Sequence, residues 1–383
     1  MISVVNSFKK YIQNPFGKFC QRDFCFALAT MLLLSSCSES KEKVSVEEFK
    51  MQLQGEAQGT TWQIVYYDLQ QRNLKPQIDS LLQKVDESIS TYLPGSVIDT
   101  WNKSDSGAAI DSMFYEVLAL SWRVYNETKG AFDPTVKPLV SYWGFGPEMY
   151  AHPEKADQHQ IDSLLELVDF DTLRLIVNDF PRPIDGLRDK RIKYSFPIFL
   201  SKPDSRMQLD FNAVGQGWSV DVVAHFLEKK GIEKYFIEIG GEIKAGYPKP
   251  DGSLWKFGID KPIEDLAQRE LEAIINLRNK GLATSGNYRK FYEVEGVKYA
   301  HTINPKTGYP VKHSLLSATV VASEAGLADA MATAFMVIGT DSAIAYLEGD
   351  NNTNSAAFLI YTESNKYKTW VSPSIASKLN RVE

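Results

Sequence analysis

No cysteine follows Cys37 in this chain of 383 residues; all three, Cys20, Cys25 and Cys37, fall in its first tenth. Whatever the rest folds into must therefore be held by buried apolar side chains, with no disulfide, no thiolate metal cage and no cysteine nucleophile. The composition allows this: 44% hydrophobic and 23% charged residues are globular proportions, and they exclude disordered, collagen-like and multi-span membrane classes. The length exceeds the roughly 250–300 residues that one core supports, so two lobes or one elaborated domain are expected. A net charge of −6 argues against a surface for nucleic-acid phosphates, and no nucleic-acid partner is expected.

The N-terminus carries its own pattern. Lys9, Lys10, Lys18 and Arg22 precede an uncharged run, Phe24 to Leu34, with Asp23 as the only acid. That run falls short of the ~20 residues needed to span a bilayer and fits a secretory signal. Its ending, Leu34-Ser35-Ser36-Cys37, resembles the lipobox of bacterial lipoproteins. The resemblance implies removal of residues 1–36, lipidation of Cys37, and a polar tether over 37–50 that leads into a domain from 51 to 383. The expected location is the bacterial cell envelope, anchored to the inner membrane on its periplasmic face, or else to the outer membrane. A plain signal peptide cut nearby, or a helix that stays in the membrane, are the alternatives. Cleavage would leave 38 Lys and Arg against 47 Asp and Glu, a net −9.

Hydrophobic periodicity predicts strands at Thr61–Tyr67, Tyr235–Ile239, Leu254–Ile259, Leu271–Leu277, Arg289–Val294, Leu316–Ala322, Ala356–Tyr361 and Thr369–Val371. It predicts helices at Pro76–Ser90, Met113–Thr128, Val220–Lys230 and Ala325–Ile338. The last ends at Gly339 and resumes over Ala343–Leu347. The stretch from Pro147 to Met207 is rich in proline and charge, with one helical piece near Ile161–Val168, and reads as a peripheral excursion. Helices and strands mix without a βαβ rhythm, so the fold class is α+β.

Single motifs are weak. Gly240-Gly241-Glu242 after a strand could cradle a phosphate but is more often a tight turn. No Walker sequence or Gly-x-Gly-x-x-Gly after the first strand is present. Asp329 and Thr333, four apart on an alanine-rich helix, share one face. A carboxylate in such surroundings is costly unless paired or cation-bound. With the threonine hydroxyl it offers hard oxygens suited to Mg²⁺, though a cap or an arginine pair would also satisfy it. Asp210 lies in an apolar, glycine-rich turn before a helix, either as a site residue or as an N-cap. His301 stands at a strand end, where a lone histidine is more often structural. Thr284-Ser285-Gly286-Asn287-Tyr288 reads as a polar loop leaving a strand.

In order and spacing these segments resemble the ApbE family, the FAD:protein FMN transferases. The resemblance runs from Gly59-Thr60-Thr61 through Ser90-Thr91-Tyr92 with Ser96 and Asn102, and then Gly130 to Val136 with Trp143 to Gly146. It continues through Leu209-Asp210 to Asp221, Thr284 to Tyr288 with His301 to Pro310, and Ala328-Asp329 to Thr333. It implies an α+β, T-fold-related domain that binds FAD as substrate among Tyr92, Ala131, Phe132, Asp133, Asp210, Gln216 and Ile303. It implies Mg²⁺ between the Ala213 carbonyl and the side chains of Asp329 and Thr333. FMN would pass to a Thr or Ser hydroxyl of an acceptor protein, such as a membrane redox-complex subunit, with release of AMP. Asp329 would hold the cation, and His301 would position the acceptor or take its proton. An FAD pyrophosphatase and a non-catalytic flavin-binding lipoprotein are the competing readings. Two positions depart from the family pattern: Gln216 stands where a lysine is common, and Asn304 stands where an aspartate is. The first removes a positive charge from the phosphate side.

Overall fold

Trp62, Ile64 and Tyr66 are buried while Thr61, Gln63 and Val65 between them are exposed or half-buried, the period of two that a one-sided strand requires. They belong to Thr60–Asp68 (β2), which pairs antiparallel with Phe49–Ala57 (β1). The computed structural model describes residues 48–146, 156–177, 180–184, 195–262, 270–287, 291–294, 297–349, 355–364 and 366–382. The expected signal, Cys37 and most of the expected tether lie outside them, as do Tyr288 and Arg289.

Six more strands extend the sheet in chain order. They are Tyr235–Ile239 (β3), Glu242–Ala245 (β4), Lys280–Gly286 (β5), Leu315–Ala322 (β6), Ser355–Glu363 (β7) and Lys366–Val371 (β8), and every neighbouring pair is antiparallel. The sheet is thus a meander, and most other structure is inserted between its strands. Between β2 and β3 lie Lys75–Ile89 (α1), Val97–Lys103 (α2), Ser112–Glu127 (α3), Lys137–Tyr142 (α4), Gln158–Leu165 (α5) and Gly215–Lys229 (α6). Ala325–Glu348 (α7) joins β6 to β7.

The central strands are covered on both faces. Ala357 and Leu359 of β7 pack with Phe335 of α7 and Phe114 of α3. Ala356, Phe358 and Ile360 pack instead with Trp255, Ile275 and Leu277, which belong to a smaller sheet formed by Trp255–Asp260, Leu271–Leu277 and Leu379–Arg381. Double burial is why β6 and β7 show continuous runs of buried residues rather than alternation. α7 is apolar all round because it runs through the core. It has the length and a mean hydropathy (1.4) that would suit a membrane span, yet most of it is buried by its own domain.

α6 and α7 cap one another. The Asp221 carboxylate of α6 accepts hydrogen bonds from Ala325 N and Gly326 N at 2.9 and 2.8 Å, while Asp329 Oδ2 of α7 accepts from Gly217 N at 3.1 Å. The approach requires glycine at 217: a Cβ there would stand 2.5 Å from the Ala325 carbonyl oxygen and 2.7 Å from Asp329 Cβ.

Several expectations shift. The strand β1 begins at Phe49, inside the segment expected as tether. Thr284, Ser285 and Gly286 are the end of β5 rather than a loop. α6 starts at Gly215, five residues before the expected Val220. The predicted strand Arg289–Val294 is described from Phe291 and pairs with Val297–Ala300. The described part of 147–207 does more than skirt the surface: Arg174–Val177, Phe180–Pro183 and Ile198–Ser201 form a sheet with Gly107–Ile110. Phe170, Leu173, Leu175 and Leu200 from this stretch are fully buried in the core around α3 and α7. Short apolar pieces between prolines carry that packing, and no periodicity window is long enough to detect them.

Candidate active site

On α7, Asp329, Thr333 and Val337 follow one another at intervals of four and form a single stripe. That stripe is one wall of a cavity of about 500 Å³. Tyr92, Ala131, Phe132, Asp133, Asp210, Ala213, Gln216, His301, Ile303, Asp329 and Thr333, singled out from the sequence, all line this one cavity. They come from five separate segments, brought together by the meander and its insertions.

Each wall has a local cause. Asp133 caps the short turn after Phe132: its Oδ1 accepts from Thr135 N at 2.8 Å and Thr135 Oγ1 at 2.5 Å. Burial raises its carboxyl to about 6, against the pull of those hydrogen bonds. Asp210 is not the N-cap of α6, a position held by Val214. Instead its Oδ1 accepts from Asn212 N at 2.7 Å, and its own N–H reaches Pro134 O at 2.8 Å, tying it to the Asp133 segment. The residue before it is clamped by Asn102, whose amide donates to Leu209 O at 2.9 Å and accepts from Leu209 N at 2.7 Å. Lys202 Nζ fastens the same region through the carbonyls of Asn102, Ser205 and Met207 at 3.0–3.1 Å.

His301 sits on a loop braced from two sides. Trp143 Nε1 donates to Gly308 O at 2.7 Å, and Ile303 is buried with Leu139, Trp143 and Ile161 in a small core of their own. Thr302 Oγ1 donates to Asn287 Oδ1 at 2.8 Å at the end of β5. The His301 ring meets Phe145 edge to face, with 6.4 Å between centroids. Gln216 rests against the turn between β3 and β4, since a Cβ on Gly240 would lie 2.8 Å from its Nε2. Gly240-Gly241 is therefore that turn, with the cavity on one side of it.

Among the described residues the lining carries five carboxylates, Asp133, Asp210, Glu242, Asp260 and Asp329, and no lysine or arginine. Asp329 is the most strained electrostatically. Burial holds its carboxyl well above the ordinary carboxylate range, opposed only by the Gly217 N–H. Among the described residues no cationic side chain pairs with it, and the hydrogen bond to Gly217 N occupies one oxygen only. Thr333 Oγ1 lies 3.2 Å from Ser285 Oγ. No group of three His, Cys, Asp or Glu side chains that could hold a metal occurs among the described residues. A buried uncompensated carboxylate, a hydroxyl one turn on and the Ala213 segment nevertheless fit a hard cation that takes its remaining ligands from phosphate and water.

Phe257, Gly258 and Asp260, on the small sheet, also line the cavity; the sequence marks the first two only as part of a strand, Leu254–Ile259, and does not mark Asp260. Nothing in their local pattern marks them, because the smaller sheet brings them there through tertiary packing. Val136, Val140 and Val337 add an apolar side of the same kind.

An α+β domain with an acidic, partly apolar cavity of this size defines a small-molecule site rather than a macromolecular surface. Residues 58–359 match the ApbE family. Over 366 residues the chain is 33% identical to the FAD:protein FMN transferase of Vibrio cholerae, covering 94% of this chain and 100% of that one. With the enzyme of the same name from Haemophilus influenzae it shares 34% over 352 residues, 90% of this chain and 93% of the relative. The solved flavin transferase ApbE from Vibrio cholerae superimposes with a TM-score of 0.71 at 30% identity, covering 87% of this chain and 100% of that chain. The apo form of the Pseudomonas stutzeri flavinyl transferase ApbE superimposes equally well at 28% identity, covering 86% and 97%. The chain belongs to the ApbE family.

Proposed function

We propose that this chain transfers FMN from FAD to a hydroxyl of an acceptor protein and releases AMP. The observation that carries the reading is the cavity itself: the residues expected around FAD, at the cation and beside the acceptor all line one acidic space. The names and near-complete coverage of the relatives support the same activity.

In this reading the apolar lining takes the flavin ring and the polar lining takes the phosphates. A Mg²⁺ held by Asp329, Thr333 and the Ala213 carbonyl would supply the positive charge that the described lining residues lack. Asp329 contributes the anionic oxygen, and its bond to Gly217 N fixes the carboxylate rotamer. The acceptor oxygen, from threonine or serine, bonds to the FMN-side phosphorus as the bond from that phosphorus to the bridging oxygen breaks. AMP leaves with the bridging oxygen, and His301 takes the hydroxyl proton. Asn304 offers no carboxylate beside His301, so His301 acts without an acidic neighbour at that position. Gln216, a hydrogen-bond donor in place of a charge, leaves neutralisation of the pyrophosphate to the cation.

The signal and lipobox support a location at the cell envelope through lipidated Cys37, facing acceptor proteins at the membrane. Residues 38–383 incubated with FAD, Mg²⁺ and an acceptor segment bearing the target threonine should give flavin fluorescence on the acceptor and one AMP per label, both lost with EDTA. Equal free FMN and AMP with no labelled acceptor would replace the transferase with a pyrophosphatase. Intact bound FAD would replace it with a binder.

A further inference from the structure

α7 is two helical segments rather than one. Gly339, at φ 79° and ψ 176°, breaks it directly after the segment that carries Asp329, Thr333 and Val337. Such a break orphans the last carbonyls of the first segment, which need donors from elsewhere. One donor comes from a residue absent from the cavity lining. His313 Nε2 lies 2.6 Å from Met336 O, while its Nδ1 accepts the Leu315 N–H at 3.3 Å. A carbonyl can only accept and an amide N–H can only donate, so the ring is the neutral tautomer with the proton on Nε2. The ring also covers the break, because a Cβ at Gly339 would meet it at 3.3–3.4 Å. Ser314 Oγ lies 3.3 Å from Thr340 Oγ1, just past the break.

His313 closes the same loop that carries His301. Ile303 bridges to Pro310, Asn304 N donates to Tyr309 O at 2.9 Å, and Val311 N donates to Thr302 O at 3.0 Å. The chain from His301 to His313 is thus a braced hairpin. Its start lines the cavity, and its end grips the helix that supplies another wall of it.

We propose that His313 is a positioning residue: a strut that sets the distance between the His301 loop and the Asp329–Thr333 helix segment through its Nε2–H bond to the Met336 carbonyl. The inference rests on the cation reading of Asp329 and Thr333. It adds a residue that touches neither substrate nor cation, and it explains why a glycine at positive φ stands at the break.

Three variants at 313 separate the strut from general stability. H313A loses both hydrogen bonds. H313Q keeps a donor at the position of Nε2. H313N keeps an acceptor at the position of Nδ1 but no donor that reaches Met336. With the full chain, each is measured for kcat, for KM of FAD, and for Mg²⁺ binding by the shift in melting midpoint without acceptor. H313A should lower kcat by about ten- to a hundredfold, since a misplacement near 1 Å has effects of that order, with the KM of FAD changed less than about threefold. Its Mg²⁺ titration should move to higher concentration, while the EDTA melting midpoint falls only by about 2–4 °C, as for two lost hydrogen bonds in a domain of this size. H313Q should recover most of kcat and of the Mg²⁺ affinity; H313N should not. A wild-type kcat and Mg²⁺ titration in H313A, or equal recovery by H313N and H313Q, overturns the strut. Asp329→Asn run beside them separates the two levels. If D329N still binds Mg²⁺ as the wild type does, the cation reading falls and the strut's cation effect with it. If D329N loses Mg²⁺ while H313A is unchanged, the strut alone is wrong.

Discussion

Replacing Asp329 with asparagine should make the cation-free protein more stable and the enzyme inactive. The carboxylate is buried, burial holds its protonation well above the usual range, and Gly217 N–H is its only hydrogen-bond donor among the described residues. An amide of the same shape keeps that bond through Oδ1 and avoids the cost of a buried charge. Leaving a buried polar group uncompensated costs about 1–3 kcal/mol, and more for a charge, so D329N should gain about 2 kcal/mol in EDTA at pH 8. For a domain of this size that is a rise in melting midpoint of about 3 °C. With Mg²⁺ the order reverses: wild type gains stability by mass action, and D329N does not respond. Differential scanning fluorimetry with EDTA and with a Mg²⁺ titration reads both halves. A D329N protein that melts below wild type in EDTA, or that still gains from Mg²⁺, would refute the reasoning.

Asn102→Ala removes both hydrogen bonds to Leu209 and leaves that buried backbone unpaired. It should cost about 2–3 kcal/mol in urea unfolding and raise the KM of FAD through displacement of Asp210. Asp68, held down to about 2 by its hydrogen bonds with Arg72, contributes stability that is present above pH ~4 and lost as pH falls toward 2. Wild type should therefore exceed Asp68→Asn by about 1–2 kcal/mol at pH 7, with the gap closing by pH 2, in denaturant titrations at the two pH values. Cys37→Ala should release the protein from membranes in fractionated cells while the purified domain stays active; a variant that remains in the membrane fraction would end the lipobox reading.

Much of the site was legible in the sequence because its residues occur in short, strongly patterned segments. Asp329 and Thr333 share a helix face by spacing alone, and an aspartate among alanines invites a question about charge. The break at Gly339 could also be read from the glycine between two apolar stretches. What could not be read depends on tertiary packing. Phe257 and Asp260 reach the cavity only because the small sheet covers β4 to β7. Asn102 acts through the backbone of a residue more than a hundred positions away. Double burial of β6 hid its alternation but not its existence, whereas the four-residue strands after Pro147 were too short for any periodicity to register. His313 had no distinguishing pattern; its role follows from the end of a helix that belongs to another part of the chain.

The most direct test follows oxygen. The reaction is run in ¹⁸O-labelled water with FAD, Mg²⁺ and an acceptor protein, and AMP, free FMN and the labelled acceptor peptide are examined by mass spectrometry. If an acceptor hydroxyl attacks the FMN-side phosphorus, the linked FMN and the departing AMP both carry only the original oxygens. Label in the phosphate of the FMN, free or linked, would mean that water attacks first and would contradict direct transfer.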